Sequence, residues 1–129
     1  MQDVRRKGHD TERALARWLK VNGFPEACTT RAVMGRDGFA QYSDIAGVTG
    51  FNIEVKNRRE VNVGAALVQC TDGAHIPTAV VKPIGITDPA RWWAVHYLGD
   101  AAALWARGFC PECHRRLWLH CPEHGEVRA

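Results

Sequence analysis

The sequence predicts an α/β domain in which helices pack against a mixed β-sheet. Three observations carry this expectation. Leu15, Ala16 and Leu19 recur at helical spacing near the N-terminus. The stretch "FNIEVK", residues 51–56, alternates apolar and polar residues as a strand does. Beyond them, segments of the two kinds follow in the order helix, three strands, helix, strand, strand, helix, which is the pattern of a layered α/β fold.

The first helix is expected to start near Asp10 or Thr11, both good N-cap types, and to end at Asn22-Gly23. Residues 26–45, "EACTTRAVMGRDGFAQYSDI", read as two short strands around a Gly-Arg-Asp-Gly turn, with Asp44 at the end of the second. "VTGFNIEVKNR" supplies the third strand, and "VNVGAALVQCTDGA" suits a helix despite its glycine. "IPTAVVKPIG" reads as a buried strand closed by Pro83 and Gly85. "PARWWAVHYLGDAAALWARG" reads as a strand through Tyr97 followed by a short helix. Composition changes near Gly108, so residues 1–107 are expected to form one domain and 108–129 a Cys- and His-rich tail.

The 129 residues suit one domain with a small appendage, and 46% hydrophobic with 24% charged residues is the balance of an ordinary soluble globule. No run of ~20 apolar residues is present and the N-terminus lacks a signal-peptide h-region, so a cytoplasmic location with unpaired cysteines is expected. Cys28 and Cys70 read as buried small apolar residues. A net charge of +3 is mild, but the basic residues cluster: Arg5, Arg6 and Lys7, then Arg31 and Arg36, then Lys56, Arg58 and Arg59, then Arg115 and Arg116. Each cluster alone reads as solvated charge; converging, they would form a phosphate-binding surface.

Four residues carry the chemistry. Glu54 and Lys56 share one face of the 51–56 strand, opposite Phe51, Ile53 and Val55. Two neighbouring antiparallel strands would bring Asp44 close to Glu54, a repulsive pairing for bare carboxylates that a divalent cation relieves. Glu12 falls on the apolar stripe of the first helix. By itself it reads as a first-turn carboxylate that favours the helix dipole and bends out to water; with the others it is a further ligand or a holder of a metal-bound water.

This ordered set resembles the PD-(D/E)xK nuclease superfamily. Asp44 matches the first acid, with Ser43 where the nominal proline would stand, and Glu54-Val55-Lys56 matches E-x-K. "KGHDTERALARWLKVNGF", "SDIAG" and "NIEVKNR" look like archaeal-type Holliday junction resolvases and their phage relatives, over roughly residues 5 to 98. The resemblance implies a restriction-endonuclease-like core and hydrolysis of DNA phosphodiesters with Mg²⁺ or Mn²⁺ held by Asp44, Glu54 and the carbonyl of Val55. It also implies that Glu12 and Lys56 complete the catalytic set, Lys56 orienting the attacking water or stabilising the charged phosphorane. Arg58 and Arg59 are expected on the DNA backbone. The Arg31–Arg36 segment resembles a flexible element that reaches substrate. Gln69 either lines the site or is an exposed helix residue, and Lys82 either contacts phosphate or marks a strand's solvent end.

In the tail, Cys110-Pro-Glu-Cys113 and Cys121-Pro-Glu-His124 are two matching ligand pairs, the spacing of chelating knuckles around structural Zn²⁺. His114 and His120 are alternative fourth ligands; a disulfide or a chance grouping is the other reading. Leu117, Trp118 and Leu119 would pack the tail, which archaeal-type resolvases generally lack.

The expected function is a structure-selective DNA endonuclease, foremost a Holliday junction resolvase of DNA recombination and repair, from a prokaryote or phage. It would act as a homodimer, since a four-way junction is twofold symmetric. The alternatives are a nuclease for flapped, branched or linear duplex DNA and a non-catalytic zinc DNA-binding module.

Overall fold

A first helix, α1 (Val4–Val21), precedes two very short strands, β1 (Cys28–Thr29) and β2 (Ile45–Ala46), which flank α2 (Thr30–Met34). Then come β3 (Phe51–Lys56), α3 (Val63–Gln69), β4 (Ile76–Val81), a single 3₁₀ turn at Pro89–Arg91, β5 (Trp93–Val95) and α4 (Leu98–Gly108), and finally β6 (His120–Cys121) and β7 (Gly125–Glu126). This computed structural model describes residues 4–34, 43–57, 61–108, 120–121 and 125–126. The chain divides into two units, Met1–His96 and Tyr97–Ala129.

The first unit is organised by a three-stranded mixed sheet in the order β3-β4-β5. β3 and β4 run parallel with Phe51 opposite Ile76 and Lys56 opposite Val81, while β5 returns antiparallel with Val95 opposite Ala79. Parallel neighbours need a crossover, and α3 supplies it. Asn62 caps this helix by accepting from the N–H of Ala65 at 3.0 Å.

Helices cover both faces of this sheet. Ile53 and Val80 pack with Leu15, Ala16 and Leu19 of α1 and with Ile45, Val48 and Trp92. Ala79 on the opposite face packs with Ala66 and Leu67 of α3. A strand covered on both sides must bury its polar residues too, and Asn52, Glu54 and Thr78 are all buried. Asn52 solves this by donating from Nδ2 to the Cys70 carbonyl at 3.0 Å and to Asp72 Oδ2 at 2.9 Å.

The mixed sheet, the helices after the third strand and at the end of the first 108 residues, and the strands at 51–56 and 76–81 match expectation; β5 ends at Val95 rather than running through Tyr97, and two earlier elements differ more. α1 begins at Val4, six residues before Asp10. Thr11 does not cap the helix: its hydroxyl donates to the Lys7 carbonyl at 2.9 Å within it, and Asp10 pairs with Arg13 at 3.5 Å one turn on. Arg5, Arg6 and Lys7 therefore lie in the helix rather than ahead of it. In the 26–45 segment the strands do pair antiparallel, Cys28 with Ala46 and Thr29 with Ile45, but α2 follows β1 directly and Asp44 precedes β2. The Gly-Arg-Asp-Gly turn lies outside the described residues. Cys70 is buried as expected, whereas Cys28 is only half-buried.

The second unit holds α4, which exposes Leu98 and Trp105, and a β6–β7 hairpin in which Cys121 faces Gly125 across the ladder. Among the described residues no helix is long and apolar enough to cross a membrane.

Candidate active site

Asp44, Glu54, Lys56 and Glu12 all line one cleft of about 440 Å³, together with Gly8, His9, Arg31, Asn57 and Gln69. The cleft sits where β3 ends, at the carboxyl edge of the two parallel strands. In open α/β sheets that edge is where ligands bind.

Asp44 is held there from several sides. Its N–H donates to the Ile53 carbonyl at 2.7 Å, and its Oδ2 accepts from the Val55 N–H at 2.9 Å. Its own carbonyl accepts from the N–H of Thr30 at 3.0 Å and from the Thr30 hydroxyl at 3.2 Å. Ser43, in the position of the nominal proline, uses its hydroxyl twice: it accepts from the Ile53 N–H at 2.9 Å and donates to the Ile45 carbonyl at 2.7 Å. The pair 43–44 thus docks on β3 by backbone and hydroxyl bonds, although β2 itself pairs with β1 and not with β3.

Glu54 and Lys56, two residues apart on one strand face, form an ion pair with Oε1 and Nζ 2.9 Å apart. The same ammonium reaches Gln69 Oε1 at 3.4 Å, so the last residue of α3 belongs to the cleft although it is exposed. Glu12 is 7% exposed. The early start of α1 explains this departure from a first-turn, water-facing carboxylate: position 12 is more than two turns into the helix and turned toward the sheet. Its Oε2 lies 3.7 Å from Nε of Arg31, which crosses from α2 and is itself largely exposed.

All three carboxyl groups are pushed above the ordinary carboxylate range. Burial is the main cause for each. Arg31 opposes it at Glu12, the Val55 N–H and Lys56 oppose it at Asp44, and Lys56 opposes it at Glu54. The carboxylates also raise one another, Glu54 acting on Glu12 and Asp44 on Glu54. Three acids, Glu12 and Glu54 buried and Asp44 half-buried, face two cations and make a site short of positive charge.

The donor set is one of hard oxygens, which suits Mg²⁺ or Mn²⁺. Among the described residues no three acidic, histidine or cysteine side chains stand as a ready metal-binding group; Asp44 and Glu54 are engaged by the Val55 N–H and by Lys56.

Two lining residues have no signal in the sequence. Asn57, one step beyond Lys56, donates to the Thr11 hydroxyl at 3.0 Å and ties the end of β3 to α1. His9 stands one turn before Glu12, and its enclosed Nε2 has no hydrogen-bond partner among the described residues. A helical wheel places His9 beside Glu12 only once the helix is known to start at Val4.

The basic residues do not all gather here. Arg31 lines the cleft, and Lys7 and Lys82 line an adjoining groove of about 510 Å³ that also includes Asn57. Arg6 is exposed on α1 and lines neither. The side chain of Arg5, and Arg36, Arg58 and Arg59, lie outside the described residues, as do Cys110, Cys113, His124 and the side chain of Cys121. No protein-family model, curated protein or solved structure matches the chain.

Proposed function

We propose that the protein is a metal-dependent DNA endonuclease with a restriction-endonuclease-like core, foremost one that resolves four-way junctions. The observation that carries this reading is the meeting of Glu12, Asp44, Glu54 and Lys56 in a single cleft, from α1, the approach to β2, and β3. Glu54 and Lys56 share a face of β3 by strand geometry, but Glu12 and Asp44 reach them from separate segments of the chain. Gathering three acids out of full contact with water costs stability, and a site that binds a divalent cation and a phosphodiester offsets that cost.

In the proposed mechanism Asp44 and Glu54, with the Val55 carbonyl, would hold Mg²⁺ or Mn²⁺, which would supply Lewis acidity toward the scissile phosphate and activate water for attack. Lys56 donates to the attacking water or to the phosphorane oxygens, with Gln69 limiting the arc of its ammonium. Glu12 positions the water, and Arg31 is free to exchange Glu12 for a phosphate oxygen because its guanidinium is mostly exposed. In the tail, Cys110, Cys113, Cys121 and His124 bind structural Zn²⁺. The antiparallel pairing of β6 with β7, which sets Cys121 opposite Gly125, is in keeping with such a site.

A cleavage panel of four-way junction, flap, single-stranded and linear duplex DNA with Mg²⁺ tests the proposal. Paired nicks in the junction alone, from a protein that sediments as a dimer, support a resolvase. Cutting of flaps or linear duplex assigns another nuclease of the same chemistry. Binding without cutting under any divalent ion refutes the enzyme and leaves a DNA-binding module.

A further inference from the structure

We infer that the groove beside the cleft is a second phosphodiester subsite, in which Lys7 and Lys82 hold the same nucleic-acid strand whose scissile phosphate lies in the cleft. The inference rests on the endonuclease reading for the chemistry of its ligand, but on separate residues for its support.

The groove is formed by Lys7, Asn57, Lys82, Ile84, Thr87 and Trp92, with Asp10 and Thr11 on its α1 side. Asn57 lines both the groove and the cleft, so the two are continuous around one side chain. The sheet explains why they adjoin. The Lys82 N–H donates to the Lys56 carbonyl at 2.8 Å, extending the parallel pairing one step past the end of β4. Lys82 therefore leaves β4 at the same carboxyl edge where Lys56 and Asn57 leave β3.

The charge of the two sites is opposite in sign. The cleft concentrates carboxylates, whereas the groove carries two ammonium groups. Asp10 also lines the groove, but its Oδ1 is engaged by Arg13 at 3.5 Å. Neither Lys7 nor Lys82 pairs with a carboxylate among the described residues. Lys82 lies over the Trp92 ring, 5.8 Å from Nζ to centroid, and the Trp92 indole N–H is fixed on the Ile86 carbonyl at 2.9 Å. An aromatic face holds an ammonium in place without neutralising it, which leaves its charge for a ligand. Exposed Ile84 gives the groove an apolar wall. An anion that continues from one pocket into the next, with charge at regular intervals and apolar sugar between, is the backbone of one strand. A free phosphate would fill the groove and ignore the cleft.

The test is binding without cleavage. Fluorescence anisotropy of a labelled duplex oligonucleotide in EDTA is measured over a range of salt for the wild type, Lys7→Gln, Lys7→Gln/Lys82→Gln and Lys20→Gln. Lys20 is exposed at the far end of α1 and lines neither site. The slope of log K against log salt is expected to become shallower by about 0.9 for each groove lysine removed, with Lys20→Gln keeping the wild-type slope. Lys7 is exposed on a helix, so its single variant reports on the groove even if the double variant folds poorly.

An unchanged slope in Lys7→Gln and the double variant overturns the subsite, as does an equal change in Lys20→Gln. Inorganic phosphate that displaces the oligonucleotide at the oligonucleotide's own affinity overturns the strand assignment. If Mg²⁺ supports cleavage and the slope is unchanged, the subsite fails while the endonuclease reading stands. If the slope shifts but no DNA is cut, the subsite stands and the endonuclease reading fails.

Discussion

The Val55 N–H donates to Asp44 Oδ2 at 2.9 Å. Through this bond a carboxylate from outside the main sheet is fixed against the middle residue of Glu54-Val55-Lys56. Glu54 projects from the same strand, with Lys56 paired to it at 2.9 Å. The arrangement makes the acid before β2 and the two charged residues of β3 one unit, and the consequences can be measured.

On the proposed endonuclease reading, removing a member of that unit should slow cleavage sharply while leaving the fold intact. Asp44→Asn and Glu54→Gln keep the shape of the side chain and lose its charge, and Lys56→Met keeps most of the stem. Each is expected to slow cleavage by about 10²–10³-fold, on the scale of deleting one group that stabilises developing charge. Anisotropy on uncleaved DNA should show binding retained. A Glu54→Gln protein that cuts at the wild-type rate removes Glu54 from the mechanism.

The same substitution should not weaken the metal-free protein. Burial raises the folded-state pKa of Glu12, Asp44 and Glu54, so near their ordinary titration range the native state binds more protons than the unfolded chain. Stability from these groups is fully present below the ordinary carboxylate range and is lost as pH rises through the raised folded values. In EDTA the melting temperature should therefore fall across that window. Glu54→Gln should flatten the fall, and Mg²⁺ should restore stability most at the alkaline end. A melting temperature that climbs with pH through this range contradicts the picture.

Asn52 tests the fold apart from the chemistry. It is 7% exposed and satisfies the Cys70 carbonyl and Asp72 from a strand face that also carries Glu54. Asn52→Ala should cost about 1–3 kcal/mol, the penalty of leaving a buried polar group without its partner. Urea denaturation reads this directly.

Gly47 is a sharper probe. Its φ of +80° lies in the left-handed region, and a Cβ built there would overlap the carbonyl of Glu26. Gly47→Ala is expected to cost at least ~1–2 kcal/mol from backbone conformation alone, with the overlap added. Because Gly47 follows β2 and abuts the approach to β1, chemical denaturation should show the loss. Cleavage should fall with it as Asp44 loses its support.

The tail makes a separate prediction. If Cys110, Cys113, Cys121 and His124 form the proposed four-ligand site, purified protein should carry about one Zn²⁺ per chain. Cys110→Ser or Cys121→Ser should lower that content in a colorimetric zinc assay. Metal-free protein with unchanged melting behaviour would remove zinc from the account.

The local pattern of this chain is legible residue by residue. Alternation along 51–56 is a property of the extended backbone, so Glu54 and Lys56 share a face whatever surrounds them. The helical stripe of Leu15, Ala16 and Leu19 is equally local, and both appear in the structure. The start of α1 is not legible in the same way, because Thr11 and Asp10 suit a cap as well as they suit the helix interior. Only the bond from Thr11 to the Lys7 carbonyl separates the two. The helix α2 escapes sequence reading because "TRAVM" is too short for periodicity to mark.

The period of each element and the residue types on each face are thus written in the chain itself. Which of those faces meet is settled only on folding. Folding set Asp44 beside β3 without joining β2 to it, buried Glu12 against the sheet, and brought Asn57 and Lys82 to one edge by running β3 and β4 parallel. The physical reason is range. Side-chain direction along a helix or strand follows from a few dihedral angles, whereas the pairing of distant segments depends on burying the whole chain at once.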